Sequence, residues 1–101
     1  MVLEVAVLNI KPGKENEFEA SFSVAQEIIS SMHGYKWHQL QKCLETKSQY
    51  ILLVQWACLE DHTIGFRQSS EYQRWKDLLH HYYDPFPVVE HYEMINQKSH
   101  K

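Results

Sequence analysis

Cysteine is scarce in this chain. Cys43 and Cys58 are the only two, and they form neither a CxxC pair nor a finger-like spacing. A disulfide framework and a zinc finger are thereby excluded. Both cysteines sit in apolar, strand-like runs and are expected to be reduced core thiols. Basic charge is short as well. The net charge of −3 offers no field for nucleic acid or for an anionic membrane. Long hydrophobic runs are missing. The opening stretch MVLEVAVLNIKPG is too short to span a bilayer and lacks the basic start and cleavage site of a signal peptide, so a cytoplasmic location is expected. No GxGxxG, phosphate loop or HExxH occurs. Nucleotide cofactors therefore lack support, and no metal is expected.

What the chain does have is histidine and aromatic side chains. The segment WACLEDHTIGFRQSSEYQRWKDLLHHYYDPFPVVEHYE, residues 56–93, holds His62, His80, His81 and His91 beside Trp56, Trp75, Tyr82, Tyr83 and Asp84. Histidine takes and returns protons near pH 7, and aromatic walls suit flat apolar ligands. The composition, 44% hydrophobic and 23% charged, is that of one globular domain. That domain is expected over residues 1–96, with a polar tail at 97–101.

Residues 2–11 read as a strand stopped by Pro12-Gly13. Leu3, Val5 and Val7 point one way and Ala6, Leu8 and Ile10 the other, so both faces are apolar. Residues 14–33 change period: Phe18, Phe22, Ala25, Ile29 and Met32 form one helical stripe, closed by His33-Gly34. Residues 35–45 and 50–57 form an antiparallel hairpin across the turn 46–49. Two helical pieces follow, 59–68 and 70–82, broken near Ser69-Ser70. Residues 84–87 form a rigid extended connection, and 88–95 a last strand. The order β-α-β-β-α-α-β predicts an α+β, ferredoxin-like fold with an antiparallel sheet and helices on one face. The other face needs a cover, and a second copy of the same sheet is the simplest one.

Four segments carry a resemblance: KPGKENEFEASF, MHGYKWHQLQKCLE, YILLVQWACLEDH and SSEYQRW. The turn at His33-Gly34-Tyr35 and the strand-ending Trp56 are its most distinctive marks. In order and spacing the chain resembles the antibiotic biosynthesis monooxygenase family of the dimeric α/β-barrel superfamily, over about residues 2–95. The resemblance implies a homodimer and the oxidation of small aromatic or quinol-like compounds by O2, with no cofactor. It leaves open a non-catalytic small-molecule binding or stress-response protein, or an isomerase or lyase of a small metabolite. A His common in the family falls at Gly65 here, with His62 one turn earlier on the same face. The positions matched to the haem-degrading branch hold Ala6, Gly65 and Lys76, with Asn9 out of register, which disfavours haem chemistry.

Cofactor-free oxygenation sets physical requirements. A base must take a proton from the substrate, the electron-rich anion must be held dry, and the peroxide that forms must be steadied. The first candidate base is His62, at the start of the helix after the third strand. His91 in the last strand and His38 in the second are the alternatives, with Asp84 as a group that orients an imidazole. Trp56, Phe66, Trp75, His80, Tyr82 and Phe86 are candidates to line the substrate pocket. Arg67 is a candidate to hold an oxyanion.

Overall fold

In the computed structural model, which describes residues 1–100, strand β1 (Val2–Asn9) lies inside a four-stranded sheet. Strands β2 (Tyr35–Lys42), β3 (Gln49–Trp56) and β4 (Val89–Tyr92) complete it in the order β2-β3-β1-β4, every pairing antiparallel. Helices α1 (Glu15–Ser30) and α2 (Ser70–Leu79) pack side by side on one face. The fold is the expected α+β, ferredoxin-like one. No helix among the described residues is long and apolar enough to cross a membrane.

Strand periodicity decides which side chains meet the helices. Ala6, Leu8 and Ile10 of β1 and its extension, with Tyr50, Leu52, Val54 and Trp56 of β3, are buried against Phe18, Phe22, Ala25, Ile28 and Ile29 of α1. The opposite parity leaves Val5 across from Leu53 and Val7 across from Ile51 on the face without helices. Trp37 and Tyr92 are 41% and 52% exposed on that same face.

The first of the two later helical pieces is wound differently from the expectation. Asp61–Phe66 is a π-helical segment, and the amide of Arg67 reaches back five residues to the carbonyl of His62 at 3.1 Å. The break near Ser69 is a cap: its side chain accepts from the amide of Tyr72 at 3.1 Å. After α2, His80–Tyr82 tightens into a 3₁₀ turn. The connection at 84–87 contains a cis Asp84–Pro85 bond. The tail lacks regular structure over 97–100, and Lys101 lies outside the described residues.

Three expectations shift. The last strand ends at Tyr92 instead of residue 95 because its partner runs out: Tyr92 already pairs with Leu3, and β1 begins at Val2. Helix α1 ends at Ser30, and the chain leaves it through a turn at 31–34. Neither cysteine is in the core. Cys43 follows the end of β2 and is half-buried; Cys58 follows the end of β3 and is exposed. Side chains just past a strand end have left the sheet, so apolar neighbours in sequence do not carry them inward.

Two glycines adopt positive φ, Gly13 at 84° and Gly34 at 83°. A Cβ at Gly34 would stand 2.0 Å from Asp61 Oδ2 and 2.7 Å from Asp61 Cβ, whereas one at Gly13 meets nothing within 4 Å. Both alanine variants incur the left-handed backbone cost of about 1–2 kcal/mol. Gly34→Ala must also displace Asp61, so it should lose at least about 1 kcal/mol more than Gly13→Ala in urea melts. Equal losses would mean that Asp61 moves aside freely.

Candidate active site

The inward parity of β1 places one acid among its apolar side chains. Glu4 is 5% exposed and lies between β3 and β4, opposite Val54 and His91. Trp56, at the end of β3, donates its indole N–H to Glu4 Oε1 at 2.9 Å. His62 stacks on that indole with ring centroids 5.5 Å apart and planes 16° from parallel. Its Nε2 stands 3.3 Å from Glu4 Oε1, and its Nδ1 lies 2.8 Å from His91 Nε2. The chain Trp56, Glu4, His62, His91 thus links three strands and the π-helical segment.

The arrangement depends on the π-helical winding. It buries both His62 and Phe66 and brings Arg67 to the same cavity. That cavity has a volume of about 410 Å³. Its floor is Glu4, Ala6 and Leu8 of β1 with Leu52 of β3. One wall is His62, Phe66 and Arg67; the other is Tyr72, Trp75, His80 and Tyr83. Phe86, Pro87 and Val89 form the rim, and Phe86 is largely exposed.

Burial governs the charges. It pushes Glu4 up to about 7, against the opposing pull of the Trp56 hydrogen bond and the Arg67 cation. It pushes His62 down, helped by the positive charge of Arg67 and by His91. His91 is lowered as well, by burial and then by Arg67. The neutral forms are favoured throughout, and Glu4 exchanges a proton near neutrality. The three donors run in a line instead of converging: His62 turns one nitrogen to Glu4 and the other to His91. Among the described residues no three His, Cys, Asp or Glu side chains gather as a metal site.

Of the residues singled out in the sequence, His62, Phe66, Arg67, Trp75, His80 and Phe86 line this cavity. His91 touches it through His62, and Trp56 stands behind Glu4. His38, Tyr82 and Asp84 lie elsewhere. His38 points under α1, where Nδ1 meets the Tyr35 hydroxyl at 2.5 Å and Nε2 meets Gln26 Oε1 at 3.0 Å. Tyr82 turns to α1 and shares a hydrogen bond with Ser21. Asp84 is exposed, and its amide donates to the carbonyl of Asn9 beside the Ile10–Tyr83 bridge. His81 is exposed. Of the three positions matched to the haem-degrading branch, only Ala6 reaches the cavity.

Sequence reasoning missed Glu4, Tyr72 and Tyr83 as site residues. Glu4 carried a signal: an acid in the strand VLEVAVLN at the same parity as Ala6 and Leu8. Tyr72 lies on the stripe of α2 that packs against the core. Tyr83 stood out only as one of the crowded aromatics of residues 56–93, and its place follows from its bridge to Ile10.

The comparisons agree with this architecture. The sequence profile of the family described as antibiotic biosynthesis monooxygenase matches residues 1–78. A Bacillus subtilis (strain 168) protein, the uncharacterised YczJ, is 59% identical over 95 residues, covering 94% of this chain and all of its own length. Among solved structures, a Bordetella bronchiseptica protein described as a candidate antibiotic biosynthesis monooxygenase superposes with a TM-score of 0.90 at 28% identity. It covers 94% of this chain and 97% of its own. SnoaB of Streptomyces nogalater, described as a cofactor-independent oxygenase, shares the fold with a TM-score of 0.73 at 15% identity, over 97% of this chain and 94% of its own. With the profile spanning most of its length and the fold matching throughout, this chain belongs to the antibiotic biosynthesis monooxygenase family.

Proposed function

We propose that the protein is a cofactor-independent monooxygenase that oxidises a small aromatic or quinol-like compound with O2. The observation that carries this reading is the Glu4 carboxyl, buried, poised near neutrality and facing an aromatic-walled cavity. A phenolic O–H of the substrate gives its proton to the Glu4 carboxylate, with His62 Nε2 beside it to share the proton. The resulting anion transfers one electron to O2. The radical pair recombines to form a C–O bond, and the Arg67 cation attracts the negative charge that builds on the peroxide. Cleavage of the O–O bond then releases water. One of its protons returns from Glu4 and the other comes from the carbon that bonded to oxygen. The base therefore becomes the acid within one turnover, which suits a group that titrates near pH 7.

Glu4→Gln should reduce kcat/KM by about a hundredfold or more, read as oxygen uptake with a panel of phenols and hydroquinones. For the wild type, kcat/KM should rise with pH and level off above about 7, where Glu4 is ionised. Oxygen uptake from none of these compounds, with tight binding of one, would make this a binding protein instead.

Stability should move the opposite way. The folded pKa of Glu4 lies above the unfolded one, so its contribution is intact below about 4.5 and is lost as pH rises through about 7. Glu4→Gln removes that loss. It should stabilise the protein at pH 8 by up to about 3 kcal/mol, a gain that shrinks toward pH 4.5 in thermal or urea melts. A variant that is less stable at pH 8 would mean that the carboxylate is satisfied in the fold.

The same reading includes a homodimer formed through the sheet face that the helices leave bare. Val5, Val7, Ile51, Leu53, Trp37 and Tyr92 lie there, and an apolar patch of this kind favours a matching copy. Light scattering should give about twice the 12.1 kDa chain mass. Leu53→Glu, which places a charge in the middle of that face, should shift the protein toward monomer. A wild-type monomer at micromolar concentration would overturn the paired sheets.

A further inference from the structure

The cavity runs lengthwise along β1. It is floored by both Glu4 and Leu8, four residues apart, a distance of about 13 Å along a strand. Glu4, His62 and Arg67 occupy the end nearer Glu4. The far end is set by the turn after α2. There Tyr83 bridges Ile10, the carbonyl of Tyr82 accepts from the amide of Lys11 at 2.9 Å, and His80 packs on Tyr83 with centroids 5.5 Å apart. Between the ends stand rings and aliphatic groups. Phe66 contacts His62 at 6.3 Å and Tyr72 at 5.2 Å, and Tyr72 contacts His80 at 5.9 Å. Ala6 and Leu52 lie beneath.

The two ends differ in how their polar groups are used. At the first, Trp56 donates to Glu4 and His62 hydrogen-bonds with His91, while Glu4 and His62 stand 3.3 Å apart. At the second, no protein group among the described residues hydrogen-bonds the imidazole of His80 or the hydroxyl of Tyr83; neither is sealed from solvent, and both side chains line the cavity. Burial and the nearby Lys76 cation keep His80 neutral, so it offers one N–H and one lone pair. Tyr83 keeps its proton, because burial holds its phenol well above the ordinary range. A polar group on the wall of an aromatic slot lowers affinity for ligands that shut it off from solvent and leave it unpaired.

We infer that His80, with Tyr83, is a second recognition point of this cavity, and that the ligand is a planar aromatic carrying oxygen functions on opposite edges. One oxygen meets Glu4, beside His62; the other meets His80. The aromatic body lies between, against Phe66, Tyr72 and Trp75. A compound with one oxygen, or with two on the same edge, satisfies only one end. The inference rests on the cavity being the ligand site of the function proposed above, and it does not depend on the oxygen chemistry.

The test is anaerobic binding, followed by tryptophan fluorescence, since Trp75 lines the cavity and Trp56 adjoins it. Naphthalene-1,4-diol, naphthalene-1,2-diol and 1-naphthol are titrated into the wild type and into His80→Phe, which keeps the ring and removes both nitrogens. One well-made hydrogen bond corresponds to about tenfold in Kd. The 1,4-diol should bind the wild type about tenfold more tightly than 1-naphthol, with the 1,2-diol within about threefold of 1-naphthol. In His80→Phe the 1,4-diol should fall to the level of 1-naphthol, whose own Kd changes by less than about twofold. Equal affinities in the wild type would overturn the inference even if the variant failed to fold. Equal weakening of all three compounds by His80→Phe would also overturn it, because His80 would then shape the cavity without reading an oxygen. Binding in the expected order without oxygen uptake would remove the oxygenase and leave the recognition point. Oxygen uptake without the order would do the reverse.

Discussion

A carboxyl group almost wholly withdrawn from water is the constraint on which the interior depends. Moving an unpaired carboxylate from water into a protein is prohibitively costly, so the surroundings of Glu4 must either pair it or keep it protonated. This fold does some of each. The Trp56 indole gives one hydrogen bond, His62 stands at ion-pair distance, and Arg67 supplies a positive field without direct contact. None of these suffices to return the group to its ordinary range, and the remainder appears as a carboxyl that titrates near 7. A fully compensated Glu4 would be an inert structural acid. An uncompensated one would not ionise at all. The chemistry of the site lies in the incomplete balance.

Much of the scaffold was legible in the sequence because it rests on local periodicity. The stripe Phe18, Phe22, Ala25, Ile29 and the alternation in β1 and β3 each follow from one repeat length, and the ferredoxin-like plan follows from the order of the elements. The site was legible only in part. His62, Phe66 and Arg67 share one short segment, and their residue types already suggested a pocket. Glu4 escaped because both faces of β1 are apolar, so alternation alone does not say which face meets the helices. His38 misled for a related reason. The irregular pairing between Tyr35 and Trp37 sets its inward position, and Tyr35 and Gln26 then occupy both its nitrogens. Tyr83 depends on a contact with Ile10 some seventy positions away in the chain, which no local pattern encodes.

The two faces of the sheet divide the work by alternation alone. Along β1, Glu4, Ala6 and Leu8 floor the cavity while Leu3, Val5 and Val7 form the bare apolar side. A one-residue slip of β1 against β3 would exchange these sets and abolish both at once. Register is therefore not free to drift for the sake of either face. The eight aligned pairs between β1 and β3, from Val2 with Trp56 to Asn9 with Gln49, hold the cavity and the bare face to a single frame.

Strand β4 joins the sheet by only four residue pairs, all on one side, and it is the last regular element of the chain. Short edge strands near chain ends open far more often than the fold as a whole. His91 lies on this strand, next to its last pair. Each opening of the edge therefore detaches the outermost imidazole and exposes the His62 nitrogen it covered. The buried carboxyl is in this way connected to the most labile hydrogen bonds of the sheet. Val89 of the same strand lines the cavity, so an occupant packed against it would also hold this edge in place.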